Sequence, residues 1–361
     1  MSIFMWSGLI VGILFGFALQ RGRFCMNSAF RDTILLKDFT LLKAVLLAML
    51  VEMIGWGVMQ LAGVIVMGPP ALSLGANIIG GLIFGVGMAI AGGCASGITY
   101  RFGEGMVGAM TAVIGFSMSA LATRAGILVP LAAPLKTLGN FKAADGSPVT
   151  LANMVGLPYW AAALAIALVA IVVWVIVARR HHEENVPAEK ASLAEKIFKR
   201  GWSWMVAGIV IGLIGVISFP LSEATGRNYP LGITAGWVAI LQTIVTPQVT
   251  IVNWGALLIV GAVIGAIIAA VIAGEFKLRA PTPAVLIQTF FGGALMGFGS
   301  TVAGGCNIGH ILSGVPQLSV GSIISGAGIV MGSWITVYFL FMRQKGTATS
   351  SQPTIRVAPG R

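Results

Sequence analysis

Residues 79–94 read IGGLIFGVGMAIAGGC and residues 291–306 read FGGALMGFGSTVAGGC, so one stretch of the chain is written twice. At a constant offset of 212, Gly80, Gly81, Gly85, Gly87, Ala91, Gly92, Gly93 and Cys94 return as Gly292, Gly293, Gly297, Gly299, Ala303, Gly304, Gly305 and Cys306. Gly97 returns as Gly309. Only three cysteines occur in 361 residues, and two of them hold the same place in the repeat. Chance in a glycine-rich apolar chain explains some of the glycines but accounts poorly for AGGC-x-x-G twice. We read an internal duplication and expect function at its two AGGC ends.

The duplicated stretch lies in a chain that water alone would not solvate. Hydrophobic residues make up 57% of it and charged residues 9%, with a mean hydropathy of +0.95, which excludes a soluble domain. Nine apolar segments are long enough to cross or nearly cross a bilayer: residues 3–19, 41–67, 78–91, 106–122, 158–177, 205–219, 254–273, 285–303 and 320–342. Backbone polar groups in lipid must be satisfied within the segment, so these are helices. The first segment has no basic residues ahead of it and no obvious cleavage site, and reads as a retained helix rather than a signal peptide. The net charge of +11 does not argue for a nucleic-acid partner. Lys and Arg sit in short segments between helices, where they read as topology signals. The cysteines show no C-x-x-C spacing, so free thiols are expected, with no metal and no cofactor.

With the N-terminus outside, 18 of the 22 Lys and Arg residues fall in inside segments, against Arg124, Lys136, Lys142 and Arg227 outside. This bias orients the chain N-out and C-in. The third segment then runs inward and ends in Cys94, while the eighth runs outward and ends in Cys306. They are an odd number of crossings apart, so the halves must be inverted. Gly8 and Gly12 match Gly208 and Gly212 at an offset of 200 and support this pairing. The expected fold class is an all-α integral membrane protein of about nine transmembrane helices plus short re-entrant helices, in two inverted repeats. Residues 1–178 would form the first membrane repeat, 179–201 a basic cytoplasmic linker, 202–343 the second repeat, and 344–361 a disordered cytoplasmic tail. Residues 24–36, 125–150 and 221–245 do not fit full spans and are the expected short or re-entrant pieces.

The segment at 78–91 has only 14 residues, roughly 21 Å at about 1.5 Å per residue, against a hydrocarbon core of about 30 Å. Its glycine-rich end therefore stops inside the membrane. Gly92 and Gly93 break the helix and let a ligand approach the backbone. A new helix just after Cys94, including Gly97, would offer free N–H groups to an anion. The same argument applies at Gly304, Gly305 and Gly309, where the preceding segment is longer. Two half-helices from opposite faces, each ending in Gly-Gly-Cys, describe a substrate site between inverted repeats. Gly80, Gly81, Gly85 and Gly87 and their counterparts read as helix-packing residues. Cys25 lies in GRFCMNSAFRD just after the first segment, and the matching place in the second half, near LSEATGR, has no cysteine. Composition leaves its role open.

QRGRFC at 20–25, AGGCASG at 91–97, PLSEATGR at 220–227 and AGGCNIG at 303–309 resemble the YeeE/YedE family of bacterial sulfur-compound transporters. The resemblance spans nearly the whole membrane region. It implies uptake of thiosulfate across the inner membrane, with three cysteines along the path that correspond to Cys25, Cys94 and Cys306. It also implies neutral S–H donors to the anion and a small TusA-like sulfur-carrier protein as a separate partner. Members of the family associated with selenium compounds keep another reduced sulfur or selenium species open as the substrate.

The physics agrees with neutral thiols. A free Cys has a pKa of about 8.5, and its S–H is a weak donor. A thiolate would repel a dianion, whereas weak donors at successive sites hold it loosely enough to leave. Arg21 and Arg23 flank Cys25 and either attract an anion leaving inward or serve as ordinary inner-side anchors. Asn307 and His310 adjoin the second Gly-Gly-Cys, where His310 either donates to the anion or has a structural role. Glu52, inside an apolar segment, is either paired structurally or coupled to protons. Arg101 and Glu104, three apart, and Glu223 and Arg227, four apart, have the spacing of intrahelical ion pairs. His181 and His182 fall in the linker and are expected to be solvated. The competing class is a membrane sulfurtransferase with a cysteine persulfide, which needs an activated thiolate in an electropositive pocket. No basic residue lies within three positions of Cys94, which disfavours that enzyme.

Overall fold

A computed structural model describes residues 3–143, 146–180, 192–246 and 252–343. Residues 181–191 of the expected linker, with His181 and His182, and the expected tail 344–361 lie outside the described residues. The helices are α1 (Ile3–Arg21), α2 (Met26–Leu35), α3 (Thr40–Leu61), α4 (Gly81–Ile90), α5 (Ala95–Gly103), α6 (Val107–Ala125), α7 (Val129–Thr137) and α8 (Leu151–Val155). They continue as α9 (Tyr159–Arg180), α10 (Leu193–Phe198), α11 (Trp204–Glu223), α12 (Thr234–Val245), α13 (Trp254–Ile272), α14 (Pro283–Ala303) and α15 (Val320–Val337). Wider π-helical turns occupy Ala76–Gly80 ahead of α4, Ile308–Gly314 after α14 and Tyr338–Met342 after α15. Among the described residues, one short ladder pairs β1 (Leu72–Ser73) antiparallel with the distant β2 (Asn140–Phe141).

Among the described residues, nine helical stretches are long and apolar enough to cross a membrane, so this is a multi-pass all-α membrane protein. Each of the nine apolar segments falls on one of them. The main shift is in the second, where α3 stops at Leu61 and Gly63, at φ +71°, turns the chain away before Met67. The short pieces also fall where expected: residues 24–36 hold α2, residues 125–150 hold α7, α-helical with Pro134 inside, and β2, and residues 221–245 hold the end of α11, an irregular stretch after Glu223, and α12. The starts of α11, α13 and α15 are capped by Ser203, Asn253 and Ser319, whose side-chain oxygens accept from the N–H three residues on, as the unsatisfied first turn requires. Leu14, Leu168, Val169, Leu213 and Ile217 are exposed, as side chains facing lipid are.

In lipid the hydrophobic effect does not drive helix onto helix, so association relies on close backbone approach through small residues. The repeated glycines make these approaches in matched pairs. On α4, Gly81 and Gly85 meet the carbonyls of Ser325 and Ile329 on α15. On α14, Gly293 and Gly297 meet those of Ala112 and Phe116 on α6, each 213 residues before its counterpart. Gly12 on α1 faces the Leu258 carbonyl of α13, and Gly212 on α11 faces the Ala48 carbonyl of α3. At the centre α4 crosses α14. A Cβ on Gly80 would stand 2.8 Å from the Gly299 carbonyl oxygen, and one on Gly87 would stand 2.7 Å from that of Gly292. Beyond this crossing lie the two Gly-Gly-Cys ends, whose cysteines are buried.

Candidate functional site

The first break begins where α4 stops at Ile90. Gly92 adopts φ +68°, a left-handed conformation that glycine takes without penalty. Cys94 is then extended and serves as the N-cap of α5, with Sγ accepting from Gly97 N at 3.3 Å and lying 3.2 Å from Ser96 Oγ. The second break repeats the device. Helix α14 ends at Ala303, Gly304 takes φ +87°, and Cys306 and Asn307 lead into the π-helical Ile308–Gly314. Cys25 is the extended residue before α2. All three cysteines are buried and free.

The fold brings Cys25 to the first break. Its Sγ lies 3.7 Å from Cys94 Sγ, and Gly97 closes against both: a Cβ there would stand 2.7 Å from Cys25 Sγ and 3.4 Å from Cys94 Sγ. Asn307 ties the second break to the same place. Its Nδ2 donates to Met26 Sδ at 3.2 Å, next to Cys25, and its Oδ1 accepts from Ala95 N at 3.2 Å, next to Cys94. One buried side chain thus joins the three segments that carry the thiols. The expectation of free N–H groups at the start of α5 needs correction, because Ala95 N and Gly97 N are already taken by Asn307 and Cys94.

The remaining candidates separate into two groups. Gly93 and Gly305 line the breaks, where a Cβ would come 3.2 Å from Arg101 Nη1 and His310 Nε2 respectively. Gly309 faces Tyr229, whose hydroxyl donates to the Gly309 carbonyl. His310 is buried, with Nδ1 3.1 Å from Ser322 Oγ and Nε2 3.1 Å from the Ala303 carbonyl. Both ring nitrogens thus have protein partners, which favours its structural reading. Arg21 is buried too. It donates to Gln20 Oε1 at 2.6 Å and to the Lys199 carbonyl at 3.0 Å, and pairs with Glu275. Arg23, half-exposed at φ +48°, pairs with Glu104 at 3.2 Å and Glu275 at 2.9 Å. Burial works against the Glu275 carboxylate, but the Gln20 hydrogen bond and the charges of Arg23 and Arg21 outweigh it and hold the carboxyl below its usual range.

Two expected ion pairs do not form. Arg101 donates to the Gly92 carbonyl at 2.7 Å, while Glu104 accepts from Gln20 at 3.0 Å and from Arg23. Glu223 accepts from Val66 N at 3.1 Å, and Arg227 donates to Ser222 Oγ, Tyr229 O and Pro230 O at 3.0, 2.7 and 2.6 Å. Carbonyls exposed by irregular backbone outcompeted the helical neighbours. Arg101 is the residue that sequence distance concealed. Seven positions beyond Cys94, it returns along α5 to the first break and sets a positive charge there. Glu52 also departs from its paired reading, since it is fully buried and neither carboxyl oxygen has a hydrogen-bond partner. Among the described residues, no group of three or more His, Cys, Asp or Glu is placed to hold a metal ion.

A bundle of membrane-crossing helices with paired internal breaks is the architecture of a membrane transport protein. Residues 21–335 match the family described as sulphur transport, and the chain belongs to that family, YeeE/YedE. It is 39% identical over 350 residues to the thiosulfate transporter TsuA of Spirochaeta thermophila, across 94% of this chain and 100% of that protein. It is 34% identical over 347 residues to the thiosulfate transporter TsuA of Escherichia coli, across 95% of this chain and 96% of that protein. A shorter stretch of 71 residues is 38% identical to the probable transporter YedE of Escherichia coli, across 19% of this chain and 18% of that protein.

Proposed function

We propose that this protein imports thiosulfate across the inner membrane, N-terminus outside and C-terminus in the cytoplasm, through two inverted repeats. The observation that carries the proposal is the meeting of Cys25, Cys94 and Gly97 at one break, with Asn307 holding the other break against it. The matched glycine contacts of α4–α15 with α14–α6 support the inversion, and the Lys and Arg bias supports the orientation. In that orientation α14 carries Cys306 toward the outside, while α4 carries Cys94 toward the inside, where Cys25 joins it. An entering anion meets Cys306 first, then the Cys94–Cys25 pair, and leaves past Arg23 at the charged inner mouth. The thiols hold it as neutral, weak donors. The proposal includes a separate TusA-like carrier protein receiving sulfur on the cytoplasmic side.

Purified protein in lipid vesicles tests this with thiosulfate labelled in both sulfurs. Intact thiosulfate should accumulate inside over time, and protein-free vesicles should stay empty. Sulfite release with label left on the protein would replace transport by sulfur transfer.

A further inference from the structure

Glu52 sits in the middle of α3, 0% exposed, inside the membrane region. Its carboxyl group fits into a notch on α11 where a Cβ at Gly215 would overlap it. Three hydroxyls on the elements around α3 are committed elsewhere. Ser218 Oγ donates to the Gly215 carbonyl at 2.7 Å, Tyr159 Oη donates to the Pro316 carbonyl at 2.8 Å, and Tyr229 Oη donates to the Gly309 carbonyl. Both Glu52 oxygens are left without a partner, as is Trp56 Nε1 one turn along the same face of α3.

Among the described side chains, the elements packed on α3 supply no counter-charge to Glu52. From α2, Arg31 and Asp32 pair with each other at 2.8 Å. From α11, Glu223 accepts from Val66 N, and from the loop after it Arg227 is held by Ser222 Oγ and the carbonyls of Tyr229 and Pro230. Helix α9 offers Tyr159, and the π-helical segment after the second break offers His310, with both ring nitrogens occupied. A carboxylate with no paired cation and no hydrogen bond is not sustained in such a place, and the counter-charge it can take is a proton.

We propose that Glu52 is the proton-binding site of this transporter, carrying a proton inward with each anion; this rests on the thiosulfate reading above. Two negative charges must enter against an inside-negative potential, and each proton carried offsets one of them. The O–H bond forms while the site is open to the outside and breaks while it is open to the inside, with no redox step. Tyr229, on the loop after α11, holds the Gly309 carbonyl of the second break through its hydroxyl.

The test uses vesicles with the membrane potential clamped at zero and thiosulfate as the probe. For one proton per anion, steady-state accumulation should rise about tenfold for each pH unit of acid-outside gradient, and a pH dye inside should report acidification when thiosulfate is added. E52Q, which keeps the shape without the titration, should lose the dependence on the gradient while exchanging labelled for unlabelled thiosulfate above the protein-free level. Wild-type accumulation indifferent to the gradient, with exchange intact, overturns the proton site and leaves thiosulfate transport standing. A gradient response in E52Q equal to the wild type also overturns it. No exchange by wild-type protein removes the transport reading, and this proposal falls with it. If E52Q does not fold, the wild-type gradient and dye measurements still decide.

Discussion

Cys25 Sγ lies 3.7 Å from Cys94 Sγ, although 69 residues separate them in the chain. Gly97 stands over the pair without a side chain, so the two sulfurs share the space that any larger residue would fill. Gly97→Ala should therefore displace Cys25 Sγ, which a new Cβ would approach to 2.7 Å. Overpacking of this kind costs about 1–3 kcal/mol, which a well-packed membrane bundle can absorb. We expect folded protein by detergent gel filtration with uptake reduced by about tenfold or more, and normal uptake would detach this pair from the path.

Asn307 makes a second prediction of the same kind. Asn307→Ala leaves the buried Ala95 N–H without its acceptor, a loss on the order of 1–3 kcal/mol, and releases Met26 from the second break. Both thermal stability and uptake should fall. Asn307→Asp keeps the acceptor for Ala95 but sets a negative charge beside the thiols, so it should recover stability more than transport. Recovery of both by Asp would mean that Asn307 acts only as a brace.

The breaks were legible because they depend on local chemistry. Gly92 and Gly304 need a left-handed backbone, and a Gly-Gly step after an apolar run announces it. The thiol pair was not legible, because nothing in GRFCMNSAFRD says which of many buried surfaces Cys25 will face. The failed Arg101–Glu104 pair has the same cause. Helical spacing makes the two neighbours, but the Gly92 carbonyl, freed by the break, and Gln20 and Arg23, far away in sequence, were better partners. Arg101 also weakens one argument from the sequence. Positive charge does reach the first break, through the turn of α5 rather than through adjacent positions.

The orientation rests on charge bias alone and is open to a direct check. Single cysteines placed at Ser192 and Asn140 in a background lacking the native three should be labelled from opposite sides, Ser192 from the cytoplasm and Asn140 from the periplasm. Among the described residues between these positions, α9 is the one helix long and apolar enough to span. Labelling of both from the same side would contradict the inverted arrangement.

The cysteines themselves separate transport from sulfur transfer. If the thiols act as successive neutral donors, Cys25→Ala, Cys94→Ala and Cys306→Ala should each reduce thiosulfate uptake sharply. Losing one weak donor removes only about 1 kcal/mol from a bound state, but in a narrow path it also removes a position that the anion must occupy. Serine sharpens the test. Its hydroxyl reaches less far, is a stronger donor and lacks the soft match to sulfur, so serine variants should fold, retain some binding and transport poorly. A persulfide mechanism predicts a different pattern: one essential cysteine, labelled with sulfur during turnover, most plausible at Cys94, where Arg101 brings positive charge to the break. Uptake that survives alanine at both Cys94 and Cys306 would end the thiol path, and the anion would then have to be held by the glycine backbone at the two breaks.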